Sequence, residues 1–132
     1  MKITATVLNE AEAHRVVVCT EGSSRRIEIS PKQTGRGSSV NGGELLMAAL
    51  ATCYCNDIYR EAAKRKIDIE SVEVEAEAEF EAEGEAAKAV SYRARVKARA
   101  SEDDIRALMI HADKSLRSKT LLERRRPFSL RV

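Results

Sequence analysis

Near the N-terminus, Ile3, Ala5 and Val7 alternate with Thr4 and Thr6, the period-two pattern of a strand with one apolar face. The polar stretch Asn9 to Ala13 breaks that run. Val16-Val17-Val18-Cys19 is β-branched and apolar, Glu21-Gly22-Ser23-Ser24 has the composition of a turn, and Ile27 and Ile29 alternate with charges. A three-strand meander is therefore expected before Pro31. From Pro31 to Gly43 the chain is rich in Gly, Ser, Lys and Arg and reads as a loop.

The pattern then changes. Leu45, Leu46, Met47, Ala48, Ala49, Leu50 and Ala51 are apolar all round, which predicts a helix buried on most faces from about Gly43. Toward Lys66 it becomes amphipathic, with Ile58 and Ala62 inside and Arg60, Glu61, Lys64 and Arg65 in water. Such a helix is roughly 35 Å long at 1.5 Å per residue and must form the spine of a small domain.

Beyond it, Val72, Val74, Ala76, Ala78 and Phe80 alternate with Glu73, Glu75, Glu77 and Glu79. After a turn-like Glu81 to Lys88, the apolar series from Tyr92 to Ala100 alternates with Arg93, Arg95, Lys97 and Arg99. An antiparallel hairpin pairing Glu79 with Arg93 and Glu73 with Arg99 gives one face of opposite charges and one apolar face. Ser101 is an N-cap, followed by Glu102, Asp103 and Asp104 in a first turn that suits the helix dipole. Ile105, Leu108, Met109, Ala112 and Leu116 recur at helical spacing, and Phe128 to Val132 alternates as a last strand. The expected order is β-β-β-α-β-β-α-β in a single domain over residues 1–132. That is an α+β fold with a mainly antiparallel sheet wrapped around the long helix.

Composition narrows the function classes. The 23 Lys+Arg nearly balance 21 Asp+Glu, so charge gives no argument for nucleic acid or a membrane surface. Arg124-Arg125-Arg126 is the one basic cluster, and no aromatic residues interleave it as single-strand binding would need. No apolar run follows a basic start, so no signal peptide is expected, and Leu45 to Ala51 is too short to span a bilayer. An odd count of three cysteines with no repeated spacing points to free thiols in a reducing cytoplasm. Two separated histidines lack ligand spacing with the cysteines, so neither a metal nor a cofactor is expected. An apolar content carried by Ala and Val makes a thin core and favours a partner subunit.

The run Ser38-Ser39-Val40-Asn41-Gly42-Gly43-Glu44-Leu45-Leu46-Met47-Ala48-Ala49-Leu50-Ala51-Thr52-Cys53 resembles the signature of the OsmC/Ohr family. The order of elements resembles that family along nearly the whole chain. The resemblance implies a thiol peroxidase for small organic hydroperoxides, built as an intertwined homodimer with its sites at the subunit interface. It assigns the reactive thiol to Cys53, a glutamate near the helix start to Glu44, and an arginine from the N-terminal strands. Arg15, Arg25, Arg26 and Arg36 are candidates for that arginine, with Arg15 preferred for its place beside the first turn. A thiolate attacks a peroxide oxygen and becomes a sulfenic acid, which a second cysteine can trap.

Two departures qualify the resemblance. Where the family carries its second cysteine, this chain has Ser115, which cannot resolve a sulfenic acid. Cys55 and Cys19 are the other thiols, and a helical wheel turns Cys55 about 200° from Cys53, poorly placed for a bridge. An external thiol reductant would then be needed. Glu44 lies nine residues before Cys53, on the opposite face of an ideal helix, so it is either catalytic or a partner of the helix dipole. The alternatives are a Cys53 that is a small core hydrophobe and a non-catalytic protein binding a small apolar ligand at the dimer interface.

Overall fold

The computed structural model describes residues 1–119. The expected strand at Phe128 to Val132 lies outside them. Seven elements follow in order: β1 (Ile3–Asn9), β2 (His14–Thr20), β3 (Ser23–Ile27), α1 (Gly42–Arg65), β4 (Asp68–Glu79), β5 (Lys88–Arg99) and α2 (Glu102–Lys119). The fold is α+β, and its described strands form two antiparallel sheets, β1-β2-β3 and β4-β5. The chain groups into two compact units, Met1–Leu45 and Leu46–Val132.

In the first unit, Ile3, Ala5 and Val7 stand opposite Thr20, Val18 and Val16, as their alternation requires. Glu21 and Gly22, at φ 48° and 82°, turn β2 into β3 with the positive-φ pair that suits the twist of a two-residue hairpin loop. β3 stops at Ile27, short of Ile29, and the chain enters a loop closed by a bridge between Pro31 and Ser38. Gly37 donates its N–H to Asn9 Oδ1 (3.2 Å), tying that loop to the end of β1. The apolar side of this sheet is half open, with Val16 buried while Ile3 and Val7 are 61% and 60% exposed.

The core of the second unit has a simple origin. Leu50, Tyr54, Ile58 and Ala62 recur every four residues along α1 and form a single buried stripe. It meets Ala94 of β5 and the α2 stripe Ile105, Leu108, Met109, Ala112 and Leu116. Val72, Val74, Ala76, Tyr92 and Val96 flank this cluster from the apolar side of the hairpin. The expectation that α1 is buried on most faces does not hold within the chain: Leu45 and Leu46 are 41% and 53% exposed. One stripe suffices to seat the helix on the hairpin and α2, and the rest of its apolar surface faces outward.

The hairpin has the expected faces but not the expected register. Glu75 stands opposite Arg93 and Glu73 opposite Arg95, four residues from the pairs expected. An even shift keeps every side chain on its own face, so alternation cannot distinguish the two registers. The observed one centres the loop near Gly84, at φ 85°, where a residue without Cβ turns most easily. Arg93 Nε donates to Glu75 Oε2 at 2.8 Å, a bond that raises the guanidinium's already high pKa further. Arg99 instead reaches Glu70 at 3.4 Å, and Glu79 stands opposite Lys88 after a one-residue register shift beyond Glu77.

Candidate functional site

The three residues assigned from the sequence have different surroundings. Cys53 lies in the middle of α1, about 100° around the helix from the buried Tyr54. It is exposed, whereas Cys55 and Cys19 are half-buried. Leu46 and Ala49, seven and four residues earlier on the helix, share its face and are also exposed. The thiol therefore sits on an apolar, outward-facing strip rather than in the core.

Glu44 is engaged at the start of α1. Its Oε2 accepts the Asn41 N–H at 2.8 Å, and its own N–H donates to Asn41 Oδ1 at 2.8 Å. This reciprocal pair is a capping box, which satisfies two N–H groups that the first turn leaves without helical partners. The spacing Asn41-Gly42-Gly43-Glu44 carries that signal in the sequence, and it accounts for Glu44 without catalysis.

Arg15 is on β2 opposite Leu8 and is exposed. It lines an open groove of about 340 Å³ with Leu8, Glu10, Glu12, Arg26 and Glu28. Arg26 is paired with Glu28 at 2.9 Å, while Arg15 makes no ion pair among the described residues. Arg15 belongs to the first unit and Cys53 to the second.

A second set of polar groups lies behind Cys53, and the sequence reading missed it. Tyr54, fully buried, packs its ring edge-on against Tyr92 of β5, with centroids 5.0 Å apart and planes at 68°. The Tyr92 hydroxyl donates to Asp113 Oδ1 on α2. One turn beyond Tyr54, the buried Asp57 accepts from Arg60. Tyr92 falls on the apolar side of its strand, and a phenol there needs a partner; that was the available signal.

Ser115 is half-buried on α2, beside the buried Leu116. Among the described residues no group of three or more His, Cys, Asp or Glu could hold a metal ion. Among them, too, no helix is long and apolar enough to cross a membrane.

The family described as OsmC-like protein matches residues 35–129, a span that takes in the loop before α1, the Cys53 helix, the β4–β5 hairpin and α2. The chain belongs to the OsmC-like family. The N-terminal meander lies before the matched span, so its membership rests on the second unit and the loop leading into α1. Solved structures extend the likeness of fold to nearly the full length. An OsmC-like protein of unknown function from Vibrio cholerae superposes with a TM-score of 0.58 at 15% identity, covering 98% of this chain and 96% of its own. The organic hydroperoxide resistance protein OhrB of Bacillus subtilis gives 0.55 at 19% identity, covering 97% and 98%. No curated protein matches the chain.

Proposed function

We propose that this OsmC-like protein reduces small organic hydroperoxides through the Cys53 thiol, working as a homodimer with an external thiol as reductant. The observation that carries this reading is the exposure of Cys53 on an apolar face of α1, since a structural cysteine would be packed inside. The family supports the chemistry, and the structural likeness to an organic hydroperoxide resistance protein of Bacillus subtilis supports the substrate class.

The reaction balances as a two-electron exchange. The Cys53 thiolate attacks the distal peroxide oxygen, the O–O bond breaks, and the leaving alkoxide takes a proton to become an alcohol. Cys53 is left as a sulfenic acid. A first external thiol displaces water to form a mixed disulfide, and a second releases Cys53 as a thiol and departs as the oxidised reductant. Glu44 contributes by fixing the start of the helix that carries Cys53.

Ser115 favours a second reading, a non-catalytic dimer that holds a small apolar ligand, because an intramolecular two-cysteine cycle lacks its second sulfur at that position. The two separate on turnover. Wild-type protein supplied with cumene hydroperoxide and dithiothreitol should consume peroxide slowly and lose activity over repeated cycles, as unresolved sulfenic acid passes to the sulfinic state. Ser115→Cys should lose two thiols per chain on oxidation and cycle without that decline. Absence of any peroxide consumption by either protein would move the assignment to ligand binding.

A further inference from the structure

The polar link behind Cys53 joins three elements through two rings and one hydrogen bond. We infer that Tyr92, held by Asp113, is a positioning residue for Cys53: its ring fixes the Tyr54 ring and so sets the rotation of α1 about its axis. The inference rests on the reading of Cys53 as the reactive thiol and adds how its placement is controlled.

The geometry argues for this role. Tyr54 is the direct chain neighbour of Cys53 and is completely buried, so its ring is the nearest anchor that can fix how α1 is turned. The other apolar residues of the α1 stripe, Leu50, Ile58 and Ala62, are aliphatic and meet their neighbours through non-directional contacts, and the buried Asp57 is bonded to Arg60 of the same helix. The edge-on contact of Tyr54 with Tyr92 has a preferred angle, and the Tyr92 hydroxyl is in turn fixed by Asp113 Oδ1. A chain of directed contacts thus runs from α2 through β5 to the residue beside the thiol. Asp113 lies next to Ala112 on the buried stripe of α2, so the acceptor sits on a packed helix.

The leverage is appreciable. A side-chain atom ~5 Å from a helix axis moves ~1.3 Å when the helix turns by ~15°. Misplacement of a reacting group by ~1 Å can cost up to ~100-fold in rate. Loss of the Tyr92 hydroxyl should therefore cost about tenfold in the reaction of Cys53 with a hydroperoxide. Asp113→Asn keeps a carbonyl oxygen to accept the bond and should stay near wild type, whereas Asp113→Ala should behave like Tyr92→Phe.

The test uses the full chain carrying Cys19→Ser and Cys55→Ser, with Cys53 tagged by a trifluoroethylthio group for ¹⁹F NMR. Untagged samples of the same proteins are assayed for the rate of sulfenic acid formation with cumene hydroperoxide. The expected result is a shifted or split ¹⁹F resonance in Tyr92→Phe and Asp113→Ala, restored in Asp113→Asn, with the tenfold rate loss in the first two alone. An unchanged resonance in every folded variant, with only lower melting temperatures, would overturn the inference and leave the link a source of stability. If Cys53 of the parent protein does not react with the hydroperoxide, the proposed function fails. The ¹⁹F resonance then decides the positioning role by itself.

Discussion

Lys66 follows the last residue of α1 at φ 56°, a left-handed conformation that is costly for a residue with a Cβ. Its N–H reaches Ala63 O at 3.2 Å and the Ile67 N–H reaches Ala62 O at 3.0 Å, the paired bonds that commonly end a helix on glycine. Lys66→Gly should therefore raise the free energy of unfolding by about 0.5–1 kcal/mol, read from the urea midpoint. A loss of stability would show that the Lys66 side chain matters more than its backbone. At the same scale, the environments of the three cysteines differ enough to test singly. N-ethylmaleimide at neutral pH should modify Cys53 faster than Cys19 or Cys55 in the folded protein, as peptide mapping by mass spectrometry would show. The run of residues around Cys53 singled it out as a candidate, whereas its exposure on α1 was not legible there. The engagement of Glu44 was equally legible, because Asn41 stands three residues before it, but a glutamate within a family signature reads first as chemistry.

Helices and strands were legible wherever one face is apolar and the other charged. The α2 start follows from Ser101 and the acidic first turn, and the structure shows the cap: the Asp104 N–H donates to Ser101 Oγ at 3.1 Å. Ser101→Ala should cost about 1 kcal/mol, with thermal unfolding as the measure. In the core, Ile58 is fully buried on the α1 stripe, and Ile58→Ala should cost about 2–5 kcal/mol. A change below 1 kcal/mol would mean the α1 stripe is not the seat of the second unit's core. What alternation could not provide was register, since Glu73 to Glu79 against Arg93 to Arg99 satisfies its charges at any even offset. The deciding feature was the loop around Gly84. The burial of α1 was likewise illegible, because an all-round apolar segment states what the helix can bury and not what its own chain supplies.

For the whole molecule, the surfaces left open are the informative ones. Leu45 and Leu46 on α1, together with Ile3 and Val7 on β1, are large apolar side chains facing outward, more than scattered exposure would require of so small a core. A second copy of the chain is the proposed cover, burying roughly 2,000 Å² or more, and sedimentation at micromolar concentration should give a dimer. A stable monomer under those conditions would contradict that assembly. The central claim, that Cys53 is a peroxide-reducing thiol, has a more direct test. Wild-type protein is treated with one equivalent of cumene hydroperoxide in the presence of dimedone, and the adduct is located by peptide mass spectrometry. The account predicts a sulfenic acid adduct on Cys53, formed with one equivalent of cumyl alcohol, and little on Cys19 or Cys55. An unmodified Cys53, or label spread evenly over the three thiols with no alcohol released, would contradict it.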